Sequence, residues 1–270
     1  MILKQLQKAG LVNCEDFVVD NCIFLALTGS VAYGASTDMS DIDIYGLTVP
    51  PLPYIYPSQY GEIDGFGKKL PRWDEYQHHN IPFNDSEYDL KIYSLIKFFQ
   101  LCMQGNPNTI DMLFSPANCI MFITPVMQKV LMKKEIFLSK QCYDRFRGFA
   151  YNHLKSMPHI KKGREFFRQF GYDVKDASHV IRQLLGLIEI LETDNYVLNR
   201  NAEEIIAIRA GKYTLEEMLV YGDKLLYQAE VAKEKSSLRD EPDYEAIKRL
   251  LIDSINLFYH KGNFEVVNEY

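Results

Sequence analysis

The residues best suited to chemistry lie in two short runs near the start of the chain. Gly29-Ser30 closes an apolar run, Cys22 to Leu27, and Asp41-Ile42-Asp43 opens a second one. Carboxylates one residue apart share a face of a strand, because strand side chains alternate with period two. Two like charges held that close repel, and a cation between them or a proton on one relieves the repulsion. Hard oxygen ligands of this kind suit Mg²⁺, which takes one or two carboxylates and completes its shell with water and phosphate oxygens. A Gly-Ser turn beside the metal can hold a phosphate by backbone amide and hydroxyl. Together these parts fit metal-assisted phosphoryl or nucleotidyl transfer.

The elements that position these residues are legible on either side. Cys22-Ile23-Phe24-Leu25-Ala26-Leu27 has the length and composition of a buried strand. Gly29 lets the backbone leave that strand sharply. On the next strand Asp41, Asp43 and Tyr45 share one face, while Ile42 and Ile44 share the other. Residues 2–10 read as a short amphipathic helix on Leu3, Leu6 and Ala9, stopped by Gly10. From residue 50 to residue 87, repeated prolines and glycines break any long element, so a long Pro/Gly/aromatic loop is expected. Inside it, His78 and His79 lack a partner at ligand spacing and read as surface histidines. Trp73 reads as a packing residue.

Glu87 to Tyr93 alternates again, with Asp89, Lys91 and Tyr93 on one face and Leu90 and Ile92 on the core side. A helix follows over 94–103, and Asn108 is the expected N-cap of the next one. Beyond residue 125 helical periodicity dominates. Helices are expected over 141–157, 174–192, 202–210, 214–235 and 244–260.

The string Thr28-Gly29-Ser30-x-Ala32-Tyr33-Gly34, followed by Ser40-Asp41-Ile42-Asp43-Ile44-x-Gly46, resembles the DNA polymerase β-like nucleotidyltransferase superfamily. It is similar to a narrower branch of that superfamily, which includes the RNA-repair-ligase-associated proteins. The resemblance implies an α+β fold. A nucleotidyltransferase-type mixed sheet with flanking helices would occupy residues 1–138, and an all-α helical domain residues 139–270. It implies Mg²⁺ or Mn²⁺ at Asp41 and Asp43, and Gly29, Ser30 and Tyr33 at the nucleotide. It also implies a third catalytic and metal-binding carboxylate on a later strand, for which Asp89 is the candidate and Glu87 the rival. Gly105-Asn106-Pro107-Asn108 with Asp111 is similar to the same branch and reads as a rigid turn between helices, with Asp111 beside the site.

Lys175, His179 and Arg182 stand at i, i+4 and i+7 and so share a helical face, one that suits a polyphosphate. They also resemble the branch's Lys-x-Ala-x-His-x-x-Arg segment, although Asp176 departs from it. Between Arg145 and Arg182 there are nine lysines and arginines against three acids, in a chain of net charge −6. This basic segment, with Lys161, Lys162, Arg164 and Arg168 in it, is the expected contact for an RNA acceptor.

Composition bounds the rest. Apolar content of 47% and charged content of 24% are those of a globular chain. No apolar run approaches the ~18 residues of a membrane span. The N-terminus has no signal-peptide core, and the five cysteines form no Cys-x-x-Cys pair. A cytoplasmic protein with reduced thiols is expected. The expected activity is transfer of a nucleoside monophosphate from an NTP to an acceptor hydroxyl, an RNA end, with release of pyrophosphate. The alternatives are an AMP-transferring enzyme that modifies protein, and a catalytically silent nucleotide-binding partner.

Overall fold

A computed structural model describes residues 1–36, 41–68, 70–158 and 165–260. Helices α1 (Ile2–Lys8) and α2 (Asp16–Asp20) precede strand β1 (Cys22–Leu27), and the single turn α3 (Gly29–Ala32) follows it. Next come β2 (Ile42–Thr48), α4 (Leu52–Ile55) and the hairpin of β3 (Glu75–Phe83) and β4 (Ser86–Ser94). Helices α5 (Leu95–Met103) and α6 (Pro107–Leu113), strand β5 (Ile120–Ile123) and helix α7 (Pro125–Leu131) complete the sheet region. The C-terminal region is helical: α8 (Gln141–Ser156), α9 (Glu165–Phe170), α10 (Val174–Thr193), α11 (Ala202–Arg209), α12 (Leu215–Lys235) and α13 (Tyr244–His260). The fold is therefore the expected α+β arrangement, a mixed sheet with flanking helices followed by a helical region.

The sheet has five strands in the order β3-β4-β2-β1-β5. β2 and β4 run parallel with Asp43 opposite Asp89, and the other neighbouring pairs are antiparallel. Both faces are covered. Leu3 and Leu6 of α1 and Val18 and Val19 of α2 pack with Leu25, Ile44, Leu90 and Ile92 on one side. On the other, Phe24, Leu47 and Tyr93 join Phe98, Phe99, Phe137 and Phe146. That second core also contains Leu187, Ile190 and Ile247, so it runs across residue 138 and seats the helical region directly on the sheet.

Two local expectations change. The stretch 50–87 is not loop throughout, because β3 forms within it. β3 is an edge strand paired only with β4, which is where Pro82 is tolerated. A register shift between His78 and Ile81, with Asn80 at φ +55°, puts a bulge in its middle. The cap of α6 is Asn106, not Asn108. Its side-chain oxygen accepts from the N–H groups of Asn108 and Thr109, and Pro107 takes the first helical position, where its missing N–H costs nothing. Trp73 packs edge-on against Phe17, as expected. The five cysteines are free thiols, and among the described residues no helix is long and apolar enough to cross a membrane.

Candidate active site

A cavity of about 350 Å³ lies between the strands β2 and β4 and the helices α10 and α11. All nine residues singled out from the sequence line it: Gly29, Ser30 and Tyr33 after β1, Asp41, Asp43 and Asp89 on the strand side, and Lys175, His179 and Arg182 on α10. Glu87, the rival third carboxylate, does not line it.

The strand wall is built by local bonding. The Thr28 N–H donates to the Asp43 carbonyl at 2.8 Å, which ties the turn after β1 to β2. Gly29 has φ +59°, and a Cβ there would land on the Asp43 carboxylate. Both the turn and the close approach therefore require glycine. The Asp43 carboxyl is pushed up by burial first and then by Asp89, with Lys175 opposing and Asp41 adding. Asp89 is held on both oxygens. Its Oδ2 lies 2.8 Å from His79 Nδ1, and its Oδ1 accepts from the Asn80 N–H at 2.8 Å. The bulge in β3 aims both groups at β4. His79 is thus a half-exposed partner of a cavity carboxylate and not simply a surface histidine.

The helix wall sets three residues of one face in three environments. Lys175 is exposed. The His179 ring meets the Tyr33 ring edge-on, with centroids 6.3 Å apart. Burial, then Arg182, Lys175 and Arg209, push its pKa down to about 3, so the imidazole is neutral at ordinary pH. Arg182 is 4% exposed, and its Nη1 lies 3.1 Å from Oδ2 and 3.3 Å from Oδ1 of the equally buried Asp111. The same nitrogen donates to the Tyr196 hydroxyl, which in turn donates to Asp111. Tyr33 donates to Asp111 Oδ2 at 3.0 Å, and its ring lies 3.7 Å under the guanidinium carbon. Burial opposes the Arg182 charge, and Asp111 more than restores it. Arg182, expected at the nucleotide, lines the cavity with its Nη1 committed within the protein. It fixes Tyr33 in place.

Residues 3–253 of this chain match the model of RlaP, the RNA repair pathway DNA polymerase beta family. The chain belongs to that family. It is therefore a polymerase β-like nucleotidyltransferase by family, and such enzymes generally use divalent metal ions. No curated protein matches it in sequence. Among solved structures, a nucleotidyltransferase-like protein from Exiguobacterium sibiricum is similar at 12% identity, over 92% of this chain and 88% of that one, with a TM-score of 0.33.

The donor set of this RlaP-family cavity fits a divalent ion. Its ligands are hard oxygens, and the crowding that raises Asp43 is what a cation relieves. The three carboxylates are not gathered at one point, however. Among the described residues, no three His, Cys, Asp or Glu side chains form a group able to hold a metal. Asp43 and Asp89 are bound as a pair by the β2–β4 register, whereas Asp41 precedes β2 and is exposed. Asp176, the departure from the branch pattern, pairs with His153 at 2.7 Å and ties α10 to α8. In the basic segment, Lys161, Lys162, Arg164 and the Arg168 side chain lie outside the described residues. Arg145 and Arg147 are exposed on α8, with Arg147 about 6 Å over the rings of Tyr143 and Tyr151. Ala35, Ser178, Ile205 and Arg209 also line the cavity. No sequence signal singled them out, since Arg209 reads only as a basic residue closing a helix.

Proposed function

We propose that this chain transfers a nucleoside monophosphate from an NTP to the hydroxyl of an RNA end. The observation that supports this most is the opposition of walls: paired carboxylates on β2 and β4 face cationic and hydrogen-bonding groups across one cavity. Asp43 and Asp89, with Asp41, would hold Mg²⁺ or Mn²⁺, which when bound neutralises charge on the reacting phosphate and on the leaving oxygen. Ser30 and the turn at Gly29 bind the terminal phosphates. Lys175 supplies positive charge at the open side. His179, kept neutral, offers a hydrogen bond without a charge. Arg182 acts through Asp111 to orient Tyr33. The acceptor oxygen bonds to the α-phosphorus, the bond from that phosphorus to pyrophosphate breaks, and Asp89 takes the hydroxyl proton.

An RNA acceptor is supported by the family description and by the excess of basic residues between Arg145 and Arg182. The free cysteines suit a reducing compartment, and we place the activity in the cytoplasm. The test is pyrophosphate release from each labelled NTP with Mg²⁺ or Mn²⁺, with RNA and a protein lysate as separate acceptors. Label is expected in RNA, and release is expected to fall to background in a folded Asp41→Ala/Asp43→Ala variant. Full release in that variant overturns the assignment. Label in protein moves the acceptor to a protein side chain.

A further inference from the structure

We propose that Arg209 binds the polyphosphate of the nucleotide, completing with Lys175 a cationic seat on the helical side of the cavity. The inference rests on the nucleotidyltransferase reading of the same cavity and adds a residue to it.

Position comes first. Arg209 closes α11 and lines the cavity together with Ile205, one turn earlier on the same helix. Its Nη1 donates to the Ala35 carbonyl at 2.6 Å, across 174 positions of sequence. At the other end of α11, Ala202 sits so close to Gly34 that a Cβ on that glycine would lie 3.1 Å away. The helix is therefore docked at both ends on the loop that follows Ser30, and the guanidinium is held at the mouth of the phosphate turn.

Charge comes second. A guanidinium has five N–H donors. Among the described residues, Arg209 uses one of them, on a neutral carbonyl, and has no carboxylate partner. By contrast, Arg182 on α10 is neutralised by Asp111, and Arg200 pairs with Glu189 of the same helix. Arg209 is half-buried, and that burial pushes its pKa down with no acid to oppose it. Its field reaches His179, as does that of Lys175. Two cations thus converge beside a neutral imidazole, and among the described residues the acids that line the cavity, Asp41, Asp43 and Asp89, lie on the opposite wall. An anion is what this wall lacks. The planar fork matches two phosphate oxygens at once, which a lone ammonium does not.

The test is titration calorimetry with inorganic tripolyphosphate in Mg²⁺ buffer, on the full chain and on its Arg209→Gln and Arg209→Lys variants, with thermal melting of each. Arg209→Gln is expected to weaken binding about ten- to a hundredfold, and Arg209→Lys, which keeps the charge but not the fork, by an intermediate factor, with both variants still melting as folded proteins. Unchanged affinity in Arg209→Gln overturns the inference, as does an equal loss in both variants, which would reduce the residue to a tether for Ala35. No binding to the unaltered chain also overturns it. A second measurement needs no variant. Phenylglyoxal modification read by mass spectrometry should show Arg209 protected by tripolyphosphate while the exposed Arg147 is not, and equal modification of Arg209 with and without the anion refutes the proposal. If no NTP releases pyrophosphate yet Arg209→Gln still loses tripolyphosphate, the transfer reading falls and this one stands. Active enzyme with unchanged tripolyphosphate binding in Arg209→Gln gives the reverse.

Discussion

The two walls of the cavity treat charge in opposite ways. On the strand wall, Asp43 and Asp89 face each other across a parallel pair, and burial and crowding both disfavour the Asp43 charge. On the helix wall, the buried cation Arg182 is matched by a buried acid, Asp111, and by two tyrosines. Asp43 and Asp111 are the same residue type, and each lies near the cavity. One is held at a cost to the fold and, on the proposed reading, serves the chemistry; the other is paired and secures the fold beside it. Perturbed acids collect where function demands them, and a paired buried ion becomes costly only when its partner is removed.

The largest effect that tests this contrast is on the buried pair. Arg182→Ala or Asp111→Ala leaves the other charge uncompensated and should cost about 3–5 kcal/mol in urea denaturation. The double variant should cost less than the sum of the two. A single-variant cost of about 0–1 kcal/mol, as for an exposed pair such as Lys129–Asp253, would remove the distinction between the walls.

A middle-sized effect belongs to His179. Its pKa in the fold is about 3, against 6.5 for the ordinary imidazole, because burial and the charges of Arg182, Lys175 and Arg209 oppose protonation. The unfolded chain takes up a proton below 6.5 and the native one does not. Stability contributed by the neutral ring is therefore fully present above pH 6.5 and is lost as pH falls toward 3. The loss should reach about 2 kcal/mol by pH 5. Denaturation midpoints of a His179→Gln variant should lack this part of the acid slope, and an unaltered slope would show that the ring is not held neutral.

The smallest effect sharpens the comparison on the other wall. The Asp43 pKa is raised in the fold, so the native state holds that proton more firmly than the unfolded chain does, and stability falls as pH rises through it. Asp43→Asn should raise the midpoint at neutral pH while abolishing transfer. A drop in stability like that of Asp111→Ala would erase the contrast.

Much of this was legible before any coordinates. The run Cys22–Leu27 is a strand over those residues, and α8, α10, α11, α12 and α13 fall within a residue of their expected ends, whereas α9 was not expected and a helix expected over 125–138 stops at Leu131. Periodicity reports such elements because one face of each must be buried. Where reading failed, a competing local rule had won. β3 forms in a stretch rich in breakers because an edge strand tolerates Pro82 and a bulge at Asn80. Asn106 caps α6 because Pro107 suits the first helical position and fixes the register. His79 was invisible as a partner of Asp89, because only that bulge turns it toward β4.

By itself the sequence determined which residues share a strand face or a helix face, since backbone periodicity is local. It brought out Asp41 with Asp43, and Lys175 with His179 and Arg182. Tertiary structure alone decided what each face meets. It set Asp43 against Asp89 and Gly29, left Lys175 exposed, kept His179 neutral, closed Arg182 onto Asp111, and delivered Arg209 from far along the chain. Burial and pairing depend on elements distant in sequence, and these, not spacing, settle whether a charge serves the fold or remains available to a ligand.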